Sequence, residues 1–183
     1  MTIWERKRLE QRIGALIPRL RIITRAWGCT PDVSDDLVQE SVAIALDKLG
    51  QLRNPDALEI WVIRIVTNCH RLHHRRNRCL TDLDEDQLIE EATPANKLEN
   101  ERMLDQVRAA INMLNDEHRK VLTLVDMEGM NYKEVAEALD IRIGTVMSRL
   151  YRARSKLRTL LEEVLQQDHG ESHDNPSALW RVK

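Results

Sequence analysis

The chain has 183 residues, enough for one large domain or two small helical ones. Phe is absent and aromatics make up 3%, so the cores must be built from Leu, Ile, Val, Ala and Met, which suits helices better than strands. The formal net charge of −2 excludes a uniformly basic chain, and any surface meant for nucleic acid has to arise by segregation of charge along the sequence. The three cysteines, Cys29, Cys69 and Cys79, are odd in number and lack a framework spacing, so reduced thiols in a cytosol are expected. No apolar run follows a basic start, so no signal peptide is expected. No stretch approaches the ~20 apolar residues of a membrane span, and no membrane insertion is expected.

Residues 1–28 read as a helix, with Leu9, Ile13, Leu16, Ile17, Leu20, Ile23 and Trp27 at helical spacing. Pro18 is expected to kink or divide it. After a break at Gly28-Cys29-Thr30-Pro31, Asp32 and Asp35 resemble a capping pair for a helix over about 33–49. Its apolar stripe is Val38, Val42, Ala45, Leu46 and Leu49, and Gly50 fits its stop. Beyond Asn54-Pro55 a helix is expected from about 56 to 78, with Leu58, Trp61, Val62, Ile65, Val66 and Cys69 inward. Its last part is basic, with Arg71, Arg75, Arg76 and Arg78 and no acid between Arg64 and Leu80.

Composition then flips. Thr81 to Glu101 holds eight acids against the single base Lys97, with Thr93-Pro94 in the middle, which marks a linker. A second helical block starts near residue 99. Asn115 can cap a helix that carries Val121 to Val125 and stops at Gly129. Asn131 with Glu134 makes a capping-box start for a short helix. A turn at Asp140–Gly144 leads to a long helix over about 145–166, with Val146, Leu150, Ala153, Leu157, Leu161 and Val164 inward. Residues 168–183 read as a flexible polar tail in which the role of Trp180 stays open.

The short helix, turn and long helix have the proportions of a helix-turn-helix. Gly144 is expected to let the chain turn and Thr145 to cap the second helix. Thr145, Ser148, Arg149, Arg152 and Lys156 are then expected on its outer face. From Arg142 to Leu161 there are six bases and no acids. Arg can bond a guanine edge in bidentate fashion and Ser can bond several bases, while Lys156 and Arg154 suit phosphates, which position without specifying.

The segment "LNDEHRKVLTLVDMEGMNYKEVAEALDIRIGTVMSRLYRARSKLRTLL", from Leu114, resembles region 4 of the extracytoplasmic function (ECF) group of sigma-70 family factors. Residues 32–49, "DVSDDLVQESVAIALDKL", resemble sigma regions 2.1–2.2, and residues 59–78, "EIWVIRIVTNCHRLHHRRNR", resemble regions 2.3–2.4. The resemblance covers about residues 10–165 in the right order. It implies an all-α protein with two small helical domains, 1–80 and 101–167, joined by an acidic linker at 81–100. It also implies a cytoplasmic protein that is not an enzyme, needs no cofactor, and binds core RNA polymerase through the β′ clamp helices and β flap. Promoter DNA and an anti-sigma factor are the further partners it implies.

Residue by residue, Asp35, Asp36, Gln39 and Glu40 match the face that docks on polymerase. Asn68, Arg71, Arg75, Arg76 and Arg78 match the segment that meets the −10 element, and Ser148, Arg149 and Arg152 match the helix at the −35 element. Met147 stands where the family often has Lys or Arg, Asn115 replaces a Pro, and Leu72 replaces an Asp. A helix-turn-helix regulator with a helical sensing domain, and a protein-binding adaptor, are the alternatives.

Cys69, His70, His73, His74 and Cys79 resemble metal ligands, and His70 with His73 or His74 would share one helix face. Cys69 falls on the apolar stripe, however, and the Arg-rich surroundings repel a cation, so no metal site is expected.

Overall fold

The computed structural model describes residues 2–81 and 99–170, with side chains over 2–76 and 106–163. The acidic linker falls largely on 82–98 and the tail largely on 171–183, outside the described residues, as do the side chains of Arg78 and Cys79. Among the described residues all regular structure is helical, and no helix is long and apolar enough to cross a membrane.

Helix α1 (Ile3–Ala26) opens on a capping box: the Thr2 hydroxyl accepts from the Glu5 amide, and the Thr2 amide donates to the Glu5 carboxylate at 2.7 Å. Pro18 does not divide this helix. The carbonyl that loses its partner belongs to Gly14, and both residues are exposed, so water can bond the freed group. Helix α2 (Pro31–Asp47) begins earlier than expected. Its cap residue is Thr30 with Pro31 in the first turn, a position where a missing amide costs nothing. Asp32 therefore sits inside the first turn, where its charge complements the helix dipole. A 3-10 turn (Lys48–Gln51) carries Gly50 and buries Leu49.

Asn54 accepts from the Asp56 amide to start a second 3-10 turn (Pro55–Ala57), which runs into α3 (Leu58–Thr81). These three helices pack through Ile13, Leu20 and Ile23 of α1, Leu37, Val38 and Ala45 of α2, and Leu58, Val62 and Val66 of α3, all of them buried.

The second set comprises α4 (Glu99–Asn112), α5 (Asp116–Leu122), α6 (Tyr132–Leu139) and α7 (Ile143–Gly170). Asn115 caps α5 by accepting from the His118 amide at 2.8 Å. A single π-helical stretch, Thr123–Met127, follows, and Gly129 at φ +68° ends it. Val121, Leu124, Val135, Leu139, Val146, Leu150, Ala153 and Leu160 form the core. On α7 it is Leu160, at 4% exposure, that lies deepest near the end of the stripe, while Leu161 is partly buried.

Candidate nucleic-acid interface

Helix α6 is fixed at its start by the predicted capping box. The Asn131 side chain accepts from the amides of Lys133 and Glu134, and the Asn131 amide donates to the Glu134 carboxylate. The turn that follows is made by Asp140, at φ 56°, and not by Gly144. Asp tolerates the left-handed region because its short polar side chain can bond locally. Helix α7 consequently starts at Ile143, and Thr145 lies within its first turn instead of capping it.

Val146, Leu150 and Ala153 face the core, which divides the remaining residues of α7 among three surfaces. On one flank Arg149 is only 22% exposed and pairs with Glu117 of α5 at 2.7 Å, so its guanidinium is turned toward its own unit. On the other flank Arg154 makes two hydrogen bonds to Asp126, at 3.0 and 2.5 Å. The outward strip consists of Met147, Ser148, Tyr151, Arg152 and Ser155, all exposed, with Lys156 beside it. The Ser148 hydroxyl donates to the Thr145 carbonyl. Among the described residues Arg152 and Lys156 make no ion pair. Burial, then Arg152 and Arg149, hold the His118 imidazole of α5 below its usual pKa.

Sequence reasoning marks Met147 only as a departure from the family and passes over Tyr151, although their i,i+4 spacing off the apolar stripe is a readable signal.

The basic face of α3 is placed differently. Asn68, Arg75 and Arg76 are exposed, but the Arg71 guanidinium donates to the carbonyl of Leu139, at the C-terminal end of α6. Beside it Arg64 pairs with Asp140 at 2.9 Å. The first helical set is thus docked on the second. Trp27 forms the middle of this seam: its ring meets His70 edge-on at a centroid distance of 5.3 Å, and Lys120 of α5 sits 5.4 Å from its centroid. Arg119 donates to the Trp27 carbonyl at 3.0 Å and to the carbonyls of Asn112 and Leu114. Gly28, at φ +92°, leaves the room that this guanidinium occupies, since a Cβ there would lie 2.1 Å from Arg119 Nη1. Arg19 bridges Glu59 and Glu128 at the edge.

Burial at the seam shifts the groups packed around Trp27. Burial, then the Lys120 charge, push His70 down to about 4, and the imidazole is neutral at pH 7. Its Nδ1 lies 4.0 Å from Asp116, too far for a hydrogen bond. Burial also lowers Lys120, which Asp116 holds at 2.7 Å. Burial raises the Cys29 thiol to about 11, leaving it protonated.

The acid cluster of α2 is exposed at Asp36, Gln39 and Glu40. Asp35 lies 2.8 Å from Arg21 of α1 and is less free.

These features define a helical protein in which a helix-turn-helix, of the kind that presents its second helix to a DNA groove, is joined to a three-helix unit with a basic helix. Residues 104–157 match the model of the family described as sigma-70, region 4. The chain is 30% identical over 154 residues to the ECF RNA polymerase sigma factor EcfG of Rhodopseudomonas palustris, covering 84% of each chain. It is also 30% identical to the RNA polymerase sigma-H factor of Pseudomonas aeruginosa, over 73% of this chain and 76% of that one.

Among solved structures it resembles the sigma factor RpoE in complex with the anti-sigma factor NepR from Bartonella quintana, with TM-score 0.71 and 28% identity, over 85% of this chain and 98% of that one. It also resembles CnrH in complex with the cytosolic domain of CnrY, with TM-score 0.60 and 25% identity, over 86% and 95%. The chain belongs to the ECF RNA polymerase sigma factors.

Proposed function

We propose that this chain joins core RNA polymerase and directs it to one class of promoters, with α7 reading the −35 element and α3 meeting the −10 element. The observation that carries this reading is the outward strip of α7, where Arg152 and Lys156 stand exposed, without an ion pair among the described residues, beside Ser148 in a stretch without acids. Such a helix supplies both phosphate anchors and base-edge donors. The exposed Asp36, Gln39 and Glu40 suit docking on the β′ clamp helices, with Asp35 adding to the cluster. Residues 81–100 serve as the acidic connector between the domains 1–80 and 101–167. The chain acts in the cytoplasm and catalyses nothing itself.

In the docked arrangement Arg71 is engaged by the Leu139 carbonyl, so one residue of the −10 face is tied to the helix-turn-helix. Two elements spaced along a duplex cannot both be met while their readers are clasped, and promoter binding requires the units to part. The relatives' complexes with NepR and CnrY support control by an anti-sigma factor. Transcription in vitro with core polymerase and a promoter library tests the reading. Promoter-specific initiation is expected; its absence rejects the proposal. Tight operator binding without core would mark a helix-turn-helix regulator instead.

A further inference from the structure

We propose that Met147 and Tyr151 read thymine methyl groups in the −35 element, an inference that rests on α7 being the −35 reader. The two side chains sit one helical turn apart on the same exposed surface, Met147 at 54% and Tyr151 at 76% exposure. Tyr132, at the start of α6, and Arg154, Ser155 and Arg158 line the same shallow groove. Apolar side chains this exposed are out of place on a helix whose other outward residues are Ser and Arg, and no fold requirement explains them, because Val146, Leu150 and Ala153 already fill the core side.

The surroundings select the occupant. From Arg142 to Leu161 the helix carries no acid, and Arg152 and Arg158 stand exposed near the pair while Arg154 is held by Asp126, so the pair suits a polyanion better than an apolar protein surface. Met147 is the fifth residue of α7 and Tyr151 the ninth, within the N-terminal part that a helix-turn-helix presents to base edges. Among the groups that face the major groove, the thymine 5-methyl is the apolar one. The others are hydrogen-bond donors and acceptors that a thioether or the face of a phenol ring serves poorly. Arg152 and Ser148, on the same strip, supply the polar contacts alongside. The recognised element therefore contains thymine on one strand or the other, chosen by contact with carbon instead of by a hydrogen bond.

The test uses the holoenzyme. A promoter is first selected from a library randomised at −35, and each thymine of the selected element is then replaced by deoxyuridine, which removes the methyl group and leaves the pairing unchanged. Promoter binding is expected to weaken about fourfold for each contacted methyl. Met147→Ala or Tyr151→Ala should abolish that sensitivity at one position each while the rest of the element is still selected. An element without thymine on either strand, no response to deoxyuridine, or a response that persists in the Met147→Ala/Tyr151→Ala double variant each overturns the inference and leaves the −35 reading standing. Failure to select any −35 sequence overturns both. Because both side chains are exposed, the variants are expected to fold, and circular dichroism checks this.

Discussion

The guanidinium of Arg71 on α3 donates to the main-chain carbonyl of Leu139, the last residue of α6. Its acceptor is one of the carbonyls at a helix C-terminus that have no partner within their own helix, where the dipole favours a cation. No side-chain change on α6 removes such an acceptor, so the bond is best tested from the α3 side. Arg71→Ala is expected to weaken docking of the two units by about 1.5–3 kcal/mol, the range for a hydrogen bond from a charged group. Fluorescence energy transfer between dyes on α2 and at the exposed Glu163 of α7 should show a larger separated population, and an unchanged distance distribution would contradict it.

Gly28 permits this docking through its backbone. Its φ of +92° is strained for any other residue, and a Cβ would meet Arg119 Nη1 at 2.1 Å. Gly28→Ala should therefore displace Arg119 from the Trp27 carbonyl and open the seam while leaving each helical core intact. Faster proteolytic cleavage with unchanged helix content is the expected outcome.

His70 makes the docked form sensitive to pH. Packed in the seam it titrates near 4, whereas an exposed imidazole titrates near 6.5. The docked, folded form thus binds fewer protons than the opened one below pH 6.5. Its stability is full above 6.5 and falls as the pH drops toward 4, by about 3 kcal/mol at most. The groups facing His70 are Lys120 and Asp116 from α5 and His73 and His74 from its own helix. Urea midpoints measured from pH 7 to pH 5 should decline, and His70→Phe, which keeps a ring against Trp27, should flatten the curve.

Asn131 anchors the helix-turn-helix by accepting from two amides at once. Asn131→Ala should destabilise the second unit by about 0.5–2 kcal/mol. Thermal unfolding followed by circular dichroism reads this directly.

On α7, Arg152→Ala should weaken promoter binding by about 1–3 kcal/mol and relax selectivity at one base, whereas Lys156→Ala should lower affinity evenly and reduce the salt slope by about one. Arg149→Ala should act more weakly on sequence choice, because its guanidinium is engaged with Glu117. Holoenzyme titrations at several salt concentrations separate the three.

Local order was legible in the residues. The spacing of Val146, Leu150 and Ala153 placed the inward side of α7, and Asn131 with Glu134 announced the start of α6, because these depend on neighbours within a turn or two. What escaped depends on distant partners. Arg149 looks outward until Glu117, from another helix, is brought beside it. Arg71 and Leu139 are 68 residues apart, and nothing in the periodicity of either helix says that one will cap the other. The turn at Asp140–Gly144 is legible, but not which residue makes it: Gly144 is the permissive residue by type, whereas the positive φ falls on an aspartate four positions earlier.

The centre of the seam around Trp27 is built from a lysine, an aspartate, an arginine and a neutral imidazole. Each of these polar groups can be rehydrated when the units part, whereas the buried Trp27 ring is the apolar surface that separation would bare. An interface of leucines would have welded the halves together and made the opened chain prone to clump. Polar partners around one aromatic ring suit an interface that gives way when another partner competes for the same surfaces.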